Sequence, residues 1–92
     1  MTNFKSVLPK TLQTWLGDKA ALVIDVREPH EYEKERIPGA FLLSMSRFSV
    51  ANFPRVNGLK TVLVSGQGAR ALTIAERLMK KILLRYIFSL GD

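Results

Sequence analysis

Two continuous apolar runs, Ala21-Leu22-Val23-Ile24-Asp25-Val26 and Thr61-Val62-Leu63-Val64, constrain what this chain can fold into more than any other feature. A run without polar alternation suits a strand buried on both faces. Such strands belong to parallel sheets with helices on each side. The stretches around them read as short helices: strand-like and helical patterns alternate along the chain, which predicts an α/β layer architecture with a small parallel sheet.

The other elements follow from local signals. Phe4 to Val7 suits a short first strand. Pro9 fits the first turn of a helix. Leu12, Trp15 and Leu16 fall at i, i+3 and i+4, forming one apolar face, and Gly17 is the expected stop. Glu28 to Glu35 reads as a short charged helix starting near Pro29. Ile37 to Ala40 reads as a turn and Phe41 to Leu43 as a further strand. Ser44 to Gly58 predicts one short helix and an irregular loop. Arg70 to Lys81 predicts a helix with Leu72, Ala75, Leu78 and Met79 on one side, and Tyr86 to Phe88 a last strand. No repeat or linker interrupts residues 1–92, which predicts one small domain near the lower limit for a single core.

Composition removes several function classes. The chain has no cysteine, which excludes disulfides, thiolate metal sites and thiol catalysis by this sequence. One histidine and scattered carboxylates predict no metal site and no cofactor. No apolar run approaches the ~20 residues of a membrane span, and Met1 to Lys5 lacks a signal-peptide core. The expectation is a cytoplasmic domain that engages no membrane. Charge is uneven: residues 1–46 hold six Lys/Arg and six Asp/Glu, so the later half carries the whole net charge of +6. A basic half suits small anions or an acidic partner. No interleaving of aromatic and basic residues points to nucleic acid.

Chemistry is expected after the second buried run. Ligands of parallel sheets bind beyond the carboxyl ends of strands. There the sequence reads Ser65-Gly66-Gln67-Gly68-Ala69-Arg70 and enters a helix. Gly66 and Gly68 allow the backbone to curl so that amides converge. The helix N-terminus favours negative charge, and Arg70 adds a positive fork. The unit reads as a small anion cradle, or as a loop that simply turns tightly.

A second motif narrows the choice. Asp25-Val26-Arg27-Glu28-Pro29-His30-Glu31-Tyr32, followed by Arg36-Ile37-Pro38-Gly39-Ala40, resembles the rhodanese signature. That signature is a strand ending in Asp-x-Arg, then Glu-Tyr on a helix, then a basic residue before Ile-Pro-Gly-Ala. The family's downstream loop is Cys-x-x-x-x-Arg, and Ser65-x-x-x-x-Arg70 falls at the matching place. The resemblance covers nearly the whole chain. It implies a rhodanese-like fold and transfer of sulfane sulfur, through a cysteine persulfide, from a donor such as thiosulfate to cyanide or a protein thiol. Carried over, Ser65 holds the nucleophile position. Gly66, Gln67, Gly68, Ala69 and Arg70 form the anion-binding loop. Asp25 and Arg27 either brace the site or make a structural ion pair at a strand end. The partners implied are a small sulfur-containing anion and a protein thiol acceptor or other partner protein, while oligomeric state stays open.

Three departures qualify the resemblance. A cysteine titrates at ~8.5 and a suitable loop lowers that further, whereas serine is far less acidic and forms nothing equivalent to a persulfide. His30, the lone histidine, reads as a surface residue rather than a base for Ser65. The chain as written is therefore expected to be inactive. Arg36 replaces a frequent histidine. The family's closing helix is not seen after the last strand, which predicts uncovered apolar surface around Ile87 and Leu90. The serine-to-arginine spacing is the shorter, sulfurtransferase type rather than the phosphatase type. Two explanations of Ser65 remain: a replacement of a sulfurtransferase cysteine, or a naturally inactive rhodanese-like domain that binds an anion or a partner.

Overall fold

The computed structural model describes residues 4–44, 46, 53–54, 56–66, 69–82 and 85–90, with backbone alone at 69–72, 74 and 82. In chain order the elements are β1 (Lys5–Ser6), α1 (Pro9–Gly17), β2 (Ala21–Asp25), α2 (Pro29–Lys34), β3 (Phe41–Leu42), β4 (Lys60–Ser65), α3 (Ala69–Ile82) and β5 (Tyr86–Ser89). They form one sheet in the order β1-β5-β4-β2-β3, with every neighbouring pair parallel. This is the α/β architecture expected from the two apolar runs. Those runs became the adjacent central strands β2 and β4, with Ile24 opposite Leu63 and Asp25 opposite Val64.

Strand alternation divides the core into two layers. Ile24, Val26, Leu63 and Ile87 point to one face, where Ala75, Leu78 and Met79 of α3 cover them. Val23, Val62 and Val64 point to the other face and pack with Leu12, while Trp15 and Leu16 of α1 lie half-buried against them. Three of the four residues expected on the inner side of α3 are thus buried, and the side chain of Leu72 lies outside the description. The alternation also corrects one expectation. Ile87 is not uncovered: it is 1% exposed beneath α3. The half-buried apolar side chains near the end of the chain are Tyr86, Phe88 and Leu90, on the α1 face.

Two chain reversals differ in how they are made. Gly39 turns the chain between α2 and β3 with φ of 91°, and the amide of Ala40 donates to the carbonyl of Ile37. At the end of α1 the left-handed residue is not Gly17 but Lys19, with φ of 55°. The amide of Ala20 donates to Trp15 O at 2.8 Å and that of Lys19 to Leu16 O at 3.1 Å. That pattern is a Schellman motif, in which the left-handed position lies beyond the last helical residue. Gly17 is helical and needs none of glycine's freedom. The predicted helix between Ser44 and Gly58 falls mostly outside the described residues.

Candidate functional site

Because all strands are parallel, their carboxyl ends meet at one pole. Asp25 ends β2 there and Ser65 ends β4. Ser65 is 1% exposed. Its backbone carbonyl accepts from the amide of Leu90 at 2.9 Å. Its hydroxyl Oγ is buried and finds no hydrogen-bond partner among the described residues. By alternation Ser65 shares the α3 side of the sheet with Leu63. It therefore sits at the base of the strand-to-helix connection that leads into the first turn of α3.

Asp25 projects to the opposite side, with Val23. Fully buried, it is held by Arg27: Nε donates to Oδ1 at 3.0 Å, Nη2 donates to Oδ2 at 2.9 Å, and the Arg27 amide donates to Oδ1 at 3.0 Å. Arg27 Nη2 also donates to the carbonyl of Glu35 at 2.6 Å, just beyond α2. The Arg27 side chain is 8% exposed. Its hydrogen bonds to Asp25 hold its pKa above the usual arginine value, against the lowering effect of burial. The two residues form a closed structural clamp between the end of β2 and the end of α2.

The clamp nevertheless borders the loop. At Gly66 a β-carbon would meet Glu31 Oε2 at 3.7 Å and Arg27 Cδ at 4.0 Å. The first loop residue therefore rests against both the Asp-x-Arg segment and α2. These are ordinary contact distances, and Gly66 lacks a left-handed φ, so neither space nor backbone demands glycine there. Glu31, the first residue of the Glu-Tyr pair in the signature, joins the candidate residues through this contact. Its Oε1 accepts from the amide of Glu28 at 3.0 Å, which fixes the carboxylate at the start of α2. Glu28 in turn accepts from Ser44 Oγ at 3.0 Å and Ser46 Oγ at 2.9 Å, tying α2 to the segment after β3. Tyr32 completes the frame by donating to Ala40 O at 2.8 Å.

The remaining loop residues are described less fully. Gln67 and Gly68 lie outside the described residues, and Ala69 and Arg70 are placed as backbone in the first turn of α3. His30 is exposed on α2, which is where a surface histidine belongs. Among the described residues no three His, Cys, Asp or Glu side chains converge to hold a metal ion. Among them, too, no helix is long and apolar enough to cross a membrane.

The central strand of this parallel sheet thus ends in a buried hydroxyl with no partner among the described residues, and the neighbouring strand ends in an Asp-Arg clamp. The family model for the rhodanese-like domain matches residues 8–90. An uncharacterized protein of Synechocystis is 34% identical over 73 residues, 79% of this chain, and the chain spans 41% of that relative's length. The thiosulfate sulfurtransferase GlpE of Pseudomonas syringae is 31% identical over 83 residues, covering 83% of this chain and 76% of the enzyme. From the residue before α1 to the residue after β5, the match runs through every strand and helix but β1, and the chain belongs to the rhodanese-like domain family.

Proposed function

We propose that this domain derives from a sulfurtransferase of the thiosulfate type and that Ser65 occupies its sulfur-carrying position, which leaves the chain as written unable to transfer sulfur. The observation that carries this reading is Ser65 Oγ: a buried hydroxyl without a described partner, at the end of the central strand and before a helix N-terminus. A hydroxyl placed for packing or stability alone is normally hydrogen-bonded. One placed where a reacting atom or anion belongs has reason to stay free. Similarity to a thiosulfate sulfurtransferase supports the substrate class, a small anion bearing sulfane sulfur.

The chemistry would run through a thiolate at position 65. It would attack the outer sulfur of thiosulfate, the sulfur–sulfur bond would break, and sulfite would leave with the bonding pair. The persulfide would then pass its outer sulfur to cyanide or a thiol. Gly66 to Arg70 would cradle the anionic groups, and Asp25 with Arg27 would hold the neighbouring wall of the loop. Serine stops the first step, because its hydroxyl is not ionised at neutral pH and supplies no comparable nucleophile without an adjacent base. His30, exposed on α2, is a poor candidate for that base.

The absence of cysteine favours a second reading, in which the same pocket binds an anion or a partner without chemistry. Intact mass of Ser65→Cys after incubation with thiosulfate separates the two. The expected result is a gain of one sulfur atom that cyanide removes. A folded Ser65→Cys variant that gains no sulfur would overturn the sulfurtransferase reading and leave the binding one.

A further inference from the structure

The pole opposite the candidate site carries a second feature. Parallel strands place their amino ends together, and the crossover from β4 to β5 returns the C-terminus of α3 to the same place. Lys5 opens β1, Lys60 opens β4, and Arg85 precedes β5. The Lys5 amide donates to the carbonyl of Arg85 and the Lys60 amide to that of Ala20, so these segments are immediate neighbours. Lys19 stands just before β2, and Arg77, Lys80 and Lys81 fill the last turns of α3. All of these side chains are exposed.

Little opposes this charge. Among the described residues the ion pair is Arg27–Asp25, at the other pole, and none of these cations lies within pairing distance of a carboxylate. Asp18 lies at the basic end and half-buried Glu76 stands on α3 beside Arg77, against seven cations, while Glu28, Glu31, Glu33 and Glu35 all lie on or beside α2. The negative ends of helix dipoles account for Lys80 and Lys81 at the end of α3. They do not account for Lys5, Lys60 or Arg85, which lie on strand ends. Gathering like charge at one pole raises the energy of the fold and is relieved by a polyanion or by salt.

The chemistry of the pole selects among polyanions. Sequence-independent binding of single-stranded nucleic acid relies on free aromatic faces for stacking. Here Trp15 meets the edge of Tyr86 at 5.0 Å and carries Lys60 Nζ over its ring at 5.3 Å. An apolar element is present instead: Val56, 49% exposed, and half-buried Leu59 lie on the turn that enters Lys60. A mixed basic and apolar rim matches a protein segment in which acidic and apolar side chains alternate, not a bare phosphate backbone. We propose that this pole docks an acidic protein segment. Because it lies at the far end of the sheet from Ser65, a partner held there leaves the loop open.

Binding of a fluorescent oligo-glutamate peptide tests this, with an oligothymidine of equal charge and phosphatidylserine vesicles as competitors, at about 50 mM salt where screening is weak. Lys80→Glu with Lys81→Glu should weaken oligo-glutamate binding about tenfold, as expected when two cations of an electrostatic contact are reversed. Lys10→Glu with Lys34→Glu makes the same change in net charge away from the pole and should leave affinity within about twofold. Lys5→Gln with Arg85→Gln approaches the pole from other segments, should also weaken binding, and carries the test if the first variant fails to fold. Equal losses in the polar and control variants, or no binding of oligo-glutamate, would overturn the proposal. So would oligothymidine or vesicles outcompeting the peptide at equal charge, which would assign the pole to nucleic acid or to membrane.

Discussion

Replacing Ser65 with alanine should stabilise this protein. The hydroxyl is buried, with the residue 1% exposed, and its Oγ lacks a described partner. A buried polar group left unsatisfied costs about 1–3 kcal/mol. Alanine removes that penalty and leaves a void of roughly 15 Å³, which costs about 0.4 kcal/mol at the usual price of cavity volume. The balance is a gain of about 1 kcal/mol, and for a domain of this size that raises the midpoint by about 4–8 °C. Cysteine leaves no void, its sulfur being somewhat larger than the hydroxyl oxygen, and carries only a weak donor, so Ser65→Cys should gain a similar amount. Urea melts at neutral pH measure both changes, read as a shift of the midpoint at constant slope. A loss of 1 kcal/mol or more in Ser65→Ala would show that the hydroxyl is satisfied in solution. That result would remove the observation on which the functional reading rests, whatever the sulfur-loading experiment gave.

Two further substitutions test the clamp beside the candidate site and the turn after α1. Asp25→Asn strands the Arg27 guanidinium, 8% exposed, without a carboxylate, and should cost about 3 kcal/mol in a urea melt; a loss under about 1 kcal/mol would show that the clamp carries little stability. Because the Arg27 pKa is raised, its share is fully present below the unfolded-state value and lost only as pH climbs through the folded one, so the gap between the two proteins should not drift with Arg27 ionisation between about pH 6 and pH 9. Lys19→Gly should raise stability by about 0.5–1 kcal/mol, since a left-handed lysine costs about 1–2 kcal/mol and glycine returns part of that as chain entropy. An unchanged or lowered thermal midpoint would mean that Lys19 is not left-handed in solution.

The sequence by itself determined the layers and the place of the candidate site. Continuous apolar runs can be satisfied only with both faces covered, so Ala21–Val26 and Thr61–Val64 had to be interior strands of a helix-flanked parallel sheet. Signature residues in the right order then identified the family, and the carboxyl end of the second run located the loop. Local periodicity does not carry the rest. Which face a strand-end residue takes depends on register against its neighbours. Only the assembled sheet shows Asp25 and Ser65 projecting to opposite sides, and Ile87 buried under α3 instead of exposed. The same holds for Gly17, whose helix-stop signal was real but whose left-handed turn fell to Lys19, because hydrogen-bond geometry at the end of α1 selects the position and the residue there must conform. Charge illustrates the difference most fully. The later half of the sequence contains the excess of cations, but the gathering of Lys60, Arg77, Lys80, Lys81 and Arg85 with Lys5 and Lys19 at the pole away from Ser65 follows from parallel topology, which brings the starts of distant strands and the end of a crossover helix to one end of the sheet.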